Sequence, residues 1–100
     1  MKLFEIIDKT RRIIYMTDER WGHIIFEHDN LAGNIENVKD VLINPLIILE
    51  SKDNHQTVFY YRYYKERDNK ERYLLVLVKY LNGTGFIITS FFTNKIRNTK

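Results

Sequence analysis

Three runs rich in β-branched and aromatic residues, at positions 57–65, 72–80 and 86–93, follow one another with little between them. Only a charged stretch at 66–71 and the turn Asn82-Gly83-Thr84-Gly85 separate them. Connections this short leave no room for a crossover, so the runs become antiparallel neighbours in one sheet. The apolar run at 46–50 lies just upstream and supplies a fourth strand, giving a meander that fills most of the second half of the chain. Helices then belong to the first half, and the fold class is α+β, with the helices packed on a four-stranded antiparallel sheet.

In the first half, β-rich runs at 3–7 and 11–16 flank a polar turn and read as a short N-terminal hairpin. Thr17 offers an N-cap oxygen, and Asp18 and Glu19 follow where the helix dipole favours negative charge. Trp21, Ile24, Ile25 and His28 recur at helical spacing, so the first helix covers 18–29. Gly33 and its flanking asparagines break the pattern, and Asn34 can cap a second helix whose apolar face is Ile35, Val38, Val41 and Leu42. Pro45 drives Asn44 out of the helical region, so that helix ends near Ile43. The whole chain, 1–100, is one domain, and its polar, basic end at 94–100 is expected to fray.

With 44% apolar and 29% charged residues and a single proline, the composition is that of a globular chain. The absence of cysteine excludes a disulfide framework, a thiolate metal site and a cysteine nucleophile, and it suits a reducing cytoplasm. The apolar runs are strand-sized and charges interrupt the N-terminus, so neither a membrane span nor a signal peptide is expected. Residues 1–50 hold six Lys/Arg against nine Asp/Glu, a balance of −3, whereas residues 51–100 hold ten against four, a balance of +6. The basic half is the sheet half, and a polyanion would be drawn to it. A solvated charged surface accounts for the same surplus more plainly.

Histidine is the side-chain type that changes charge near neutral pH, and the chain carries His23, His28 and His55. His23 and His28 lie five residues apart on one helix, so they diverge by roughly 140° and cannot face one site. Their spacing is not that of a helical zinc pair, so no metal centre and no cofactor is expected. A lone helix histidine beside Trp21 and Ile24 serves equally well as a packing or surface residue, and His55 falls in a polar turn. Strand alternation places Val58, Tyr60, Arg62 and Tyr64 on one face and Phe59, Tyr61, Tyr63 and Lys65 on the other. An arginine between two tyrosines can neutralise phosphate and stack bases, although tyrosine is also simply a favoured strand residue. Lys79 ends the apolar row of Leu75 and Leu77. In the last strand Phe86, Ile88, Ser90 and Phe92 alternate against Ile87, Thr89, Phe91 and Thr93. The hydroxyls of Thr89 and Ser90 need partners there, which a structural bond or a substrate phosphate supplies equally.

The order of these pieces resembles the phage-associated branch of the barnase, EndoU, colicin and RelE-like nucleases, the BECR fold. The carrying features are TDERWGHIIFEHD at 17–29, Asn44-Pro45 before an apolar strand, Tyr60-Tyr61, Val78-Lys79 ending a strand, and Ile88-Thr89-Ser90-Phe91. They span about residues 13–95. The resemblance implies metal-independent RNA cleavage by attack of a 2′-hydroxyl on the adjacent phosphodiester. It further implies His28 as general acid or base, Lys79 and Arg62 as charge stabilisers, and Thr89 as a donor to phosphate. Tyr60, Tyr61, Ser90, Thr93 and Lys95 would be substrate contacts, RNA the substrate, and a cognate antitoxin protein a partner. Many members of that family have Arg-His where this chain has Glu27-His28. The competing class is a non-catalytic module that holds RNA or a protein chain on the aromatic, basic sheet.

Overall fold

Thr17 is the point at which strand gives way to helix. In the computed structural model, which describes residues 1–97, its hydroxyl oxygen accepts the Arg20 amide at 3.1 Å, and Asp18 and Glu19 fill the first turn. Before it, β1 (Lys2–Ile7) and β2 (Ile13–Thr17) pair as an antiparallel hairpin. After it come α1 (Asp18–Glu27), a 3-10 turn at Asp29–Leu31, and α2 (Ile35–Ile43). Asn34 precedes α2 without capping it through its side chain, which instead donates to the Asn30 carbonyl at 2.9 Å. Pro45 ends α2 as expected: Asn44 is the C-cap, its amide bonded to the Asp40 carbonyl at 2.8 Å. The remaining strands are β3 (Ile47–Glu50), β4 (Thr57–Tyr63), β5 (Tyr73–Leu81) and β6 (Thr84–Thr93).

The strands lie in the order β1-β2-β6-β5-β4-β3. β3 to β6 do form an antiparallel meander, but it is only part of the sheet. Ile13, Ile14 and Tyr15 of β2 pair parallel with Thr84, Gly85 and Phe86 of β6. The expected four-stranded antiparallel sheet is therefore corrected to a six-stranded mixed one. The physical reason is that the outer edge of β6 would otherwise leave a row of backbone donors and acceptors unpaired. No local signal marks a partner so distant in sequence.

A second correction concerns β6 itself. Val78 pairs with Ile87 but Leu77 pairs with Thr89, so Ile88 is an extra, bulged residue. A bulge resets the alternation. Phe86, Thr89, Phe91 and Thr93 consequently share one face, and Ile87, Ser90 and Phe92 the other, whereas strict alternation grouped Phe86 with Ser90.

Both helices pack on a single face. Ile24, Leu31, Val38, Val41 and Leu42 join Ile14, Met16, Val58, Leu74, Val76, Val78 and Ile87 in one buried cluster. Gly85 lies under this cluster, where an added Cβ would sit 2.7 Å from Val78 Cγ1 and 2.8 Å from Tyr80 Cε1. Gly85→Ala is expected to lower stability by about 1–3 kcal/mol, through overpacking, read as a lower urea midpoint at an unchanged slope. Among the described residues, no helix is long and apolar enough to cross a membrane.

Candidate functional site

The other face of the sheet carries a separate cluster: Phe59, Tyr61 and Leu75, with Leu49, Tyr73, Leu77, Phe91 and Ile96 packed against them. Strand register sets out its rows. Tyr73 faces Tyr63 and Thr93; Leu75 faces Tyr61 and Phe91; Leu77 faces Phe59 and Thr89; Lys79 faces Thr57 and Phe86. Successive rows are about 7 Å apart along the strands. Lys79 thus lies one row beyond Thr89, and Thr89 and Thr93 flank Phe91 on the same face. We call this the open face.

His28 reaches the open face from the side. β2 pairs with β6 only at the three positions given above, and beyond them α1 packs against β6. The imidazole of His28, at the C-cap of α1, lies with its ring centre 5.2 Å from that of Phe91. The loop that follows is tied down at a distance. The Asn30 amide donates to the Glu71 carboxylate at 2.6 Å, and Arg67 donates to the other oxygen of that carboxylate at 2.7 Å while its guanidinium lies 4.0 Å from the ring centre of Phe92. The Asn30 hydrogen bond, aided by Arg67, holds the Glu71 carboxyl below the usual carboxylate range. These contacts fix the end of α1 against β6 and so fix where His28 sits.

Beside Phe91 a recess of about 280 Å³ opens, walled by Phe59, Tyr61, Leu75, Leu77 and Phe91, with Thr93, Lys95 and Arg97 at its mouth. The segment expected to fray helps to form it. Ile96 packs on the cluster, the Arg97 amide donates to the Tyr61 hydroxyl at 3.0 Å, and the Arg97 guanidinium lies 5.0 Å from the Phe59 ring centre. Residues 94–97 therefore fold back over the sheet, and positions 98–100 lie outside the described residues. Neither Lys79, Lys95 nor Arg97 forms a salt bridge among the described residues. No three His, Cys, Asp or Glu side chains gather as a metal site there either.

Family models, curated proteins and solved structures give no match to this chain. What the site can do rests on its own geometry.

The structure brings His28, Lys79, Thr89, Thr93 and Lys95 to the open face, places Tyr61 on that face but only 2% exposed with its hydroxyl taken by the Arg97 amide, and takes three other candidates elsewhere. Arg62 pairs with Leu74 and lies on the helix face. Its guanidinium donates to the Asn44 carbonyl at 2.6 Å, at the end of α2, in a separate cleft with Lys9, Pro45, Leu46 and Tyr63. Ser90 is fully buried, and its hydroxyl donates to the Leu75 carbonyl at 2.7 Å, so the structural partner is the one it finds. Tyr60 is also fully buried, its hydroxyl bonded to the Asp8 carboxylate and to the Tyr80 hydroxyl. The expected convergence of Arg62 with Lys79 and Thr89 is thus corrected: the sheet itself stands between them. His23 is exposed beside Phe26 on the outer side of α1, and His55 is an exposed turn residue 3.7 Å from Glu50.

Sequence reasoning missed Phe59, Leu75, Phe91 and Arg97 as parts of the site. Alternation did group Phe59 with Tyr61, and Phe91 with Thr89 and Thr93. What was lacking was the register that sets those strands side by side.

Proposed function

We propose that this chain is a cytoplasmic endoribonuclease of the toxin type, cleaving RNA through attack of a 2′-hydroxyl on the adjacent phosphodiester. One observation supports the reading above all: His28, from a helix, shares a sheet face with Lys79, Thr89 and Thr93, next to an aromatic recess with cations at its mouth. In this reaction His28 takes the proton of the 2′-hydroxyl. The freed oxygen forms a bond to phosphorus, the bond from phosphorus to the 5′-oxygen breaks, and the departing oxygen takes a proton from water. The products are a 2′,3′-cyclic phosphate and a 5′-hydroxyl end. Lys79 offsets the charge that builds on the phosphorane, and the Thr89 hydroxyl donates to a non-bridging oxygen. Thr93 and Lys95 hold the neighbouring nucleotide, and the buried Tyr61 ring lies beneath it. Arg62 has no part at that phosphate.

The alternative is a module that binds RNA or a protein chain on the same face without turnover, and the departure of Arg62 from the site favours it. Incubation of the purified protein with total RNA in EDTA decides between them. The nuclease yields fragments ending in 2′,3′-cyclic phosphate and 5′-hydroxyl; RNA left intact would overturn the proposal. A toxin of this kind also requires an antitoxin, and an acidic chain covering the basic open face fits that role.

Glu27 is exposed at the last position of α1, adjacent to His28. A carboxylate there repels phosphate. Glu27→Arg is expected to tighten RNA binding by about two- to fivefold, the scale of an exposed charge interaction, with the gain shrinking as salt is raised. Fluorescence anisotropy at two ionic strengths checks it.

A further inference from the structure

We propose that the recess beside Phe91 is a pocket for one unpaired nucleobase, so that the substrate is single-stranded RNA with one base turned into the sheet. This rests on the nuclease reading for the identity of the polymer, but the pocket is argued from its own chemistry. Its floor is formed by the buried rings of Phe59 and Tyr61, its side by the half-buried ring of Phe91, and its volume is about 280 Å³. A flat ring buried there gains stacking and loses water contact.

The mouth supplies the rest of a nucleotide's requirements. The Thr93 hydroxyl is held only by long contacts with the Lys95 backbone, at 3.4 and 3.5 Å, so it is available to a base edge. Lys95 and Arg97 stand at the same opening, and among the described residues no acidic one lines it. An apolar ring joined to a phosphodiester satisfies both parts at once, whereas a purely aliphatic ligand leaves the Lys95 charge without a counter-charge and Arg97 with only its contact to the Phe59 ring. A base within a duplex cannot enter, because its faces are covered by its neighbours and its edge by its partner. The recess ends at Leu77, whose strand partner is Thr89, with Lys79 one row further on, so a base seated there puts its own phosphate within reach of the proposed reaction centre.

The test uses 2′-deoxy octamers, which lack the attacking hydroxyl and so report binding alone. One octamer carries 2-aminopurine at its centre, one an abasic residue in its place, and one is annealed to its complement. The expected result is quenching of the 2-aminopurine emission on binding, with affinity weakened roughly five- to hundredfold by the abasic residue, the scale of one stacked base, and weakened likewise by annealing. Thr93→Trp, which fills the mouth on a strand position that tolerates aromatics, removes the quenching while the thermal midpoint stays near that of the parent. Octamers that bind equally well with or without the base, bind as well when duplex, or do not bind at all overturn the pocket. Quenching by a protein that leaves RNA intact in EDTA upholds the pocket and removes the nuclease reading, so the two failures are distinct.

Discussion

Replacing His28 with alanine is expected to slow RNA cleavage by about 10²–10⁴-fold, the range over which a positioned acid or base contributes, while RNA affinity stays nearly unchanged. The imidazole is half-buried against Phe91, and losing that ring contact lowers stability by only about 1 kcal/mol. The variant therefore folds, and a rate measured at saturating RNA separates chemistry from binding. Lys79→Ala serves as the companion: loss of a charge donor at the phosphorane lowers the rate by about 10²–10³-fold. Variants that cleave at the parental rate would remove His28 and Lys79 from the reaction. A loss of affinity with no catalytic effect would mark the open face as a binding surface.

The largest effect on stability is expected from Asp8→Ala. Asp8 is 5% exposed and is the hub of the β1–β2 turn. Its carboxylate accepts the Thr10 amide at 3.0 Å, the Thr10 hydroxyl at 2.8 Å and the Arg12 amide at 2.9 Å. It also accepts the hydroxyls of Tyr60 and Tyr80, which lie in the core beneath α2. The Arg12 guanidinium covers the Tyr80 ring at 3.7 Å. Deleting the carboxylate leaves the buried Tyr60 and Tyr80 hydroxyls without their acceptor and unties the part-buried Thr10 and Arg12 amides, a loss of about 3 kcal/mol. For a domain of this size that is roughly 12–24 °C in melting temperature. Tyr60→Phe removes one of the five donors and is expected to lower stability by only about 1 kcal/mol.

The same hub gives a pH signature. Burial, reinforced for Tyr60 by its hydrogen bond to Asp8, raises both tyrosines above the ordinary value of about 10. Above that pH the unfolded chain ionises these phenols and the folded chain does not, so stability is full below pH ~10 and falls as pH rises past it. The fall should be shallower in Tyr60→Phe. Urea unfolding between neutral and strongly alkaline pH checks it; parallel slopes for the two proteins would contradict the assignment.

Local features of the fold were legible because their causes are local. Thr17 caps a helix with its own hydroxyl, Pro45 restricts Asn44 directly, and Asn82-Gly83 turns the chain between two strands, with Asn82 at φ 54 and Gly83 at φ 82. The pairing of β2 with β6 and the gathering of Tyr60 and Tyr80 on Asp8 depend on residues far apart in the chain, and no short window contains them. The bulge at Ile88 is a subtler case. Nothing in the run Phe86-Ile87-Ile88-Thr89-Ser90-Phe91-Phe92 marks its position, and only the partner strand reveals the extra residue.

The site divides along the same line. Alternation already set Tyr60 and Arg62 on the face opposite Tyr61. The family resemblance pooled residues from both faces, and the register separated them again. Arg97 could be found only from the fold, since its amide meets Tyr61 across the sheet after the last strand has ended.

In the proposed complex one RNA strand lies on the open face, with its phosphate between His28, Thr89 and Lys79 and a base beside Phe91. Nuclear magnetic resonance of the labelled protein, titrated with a short oligoribonucleotide whose 2′-hydroxyls are replaced by hydrogen, tests it residue by residue. Shifts are expected at the His28 ring and at the amides of Tyr61, Leu75, Thr89, Phe91 and Thr93. Shifts confined to Lys9, Asn44 and Arg62, on the far side of the sheet, would contradict it.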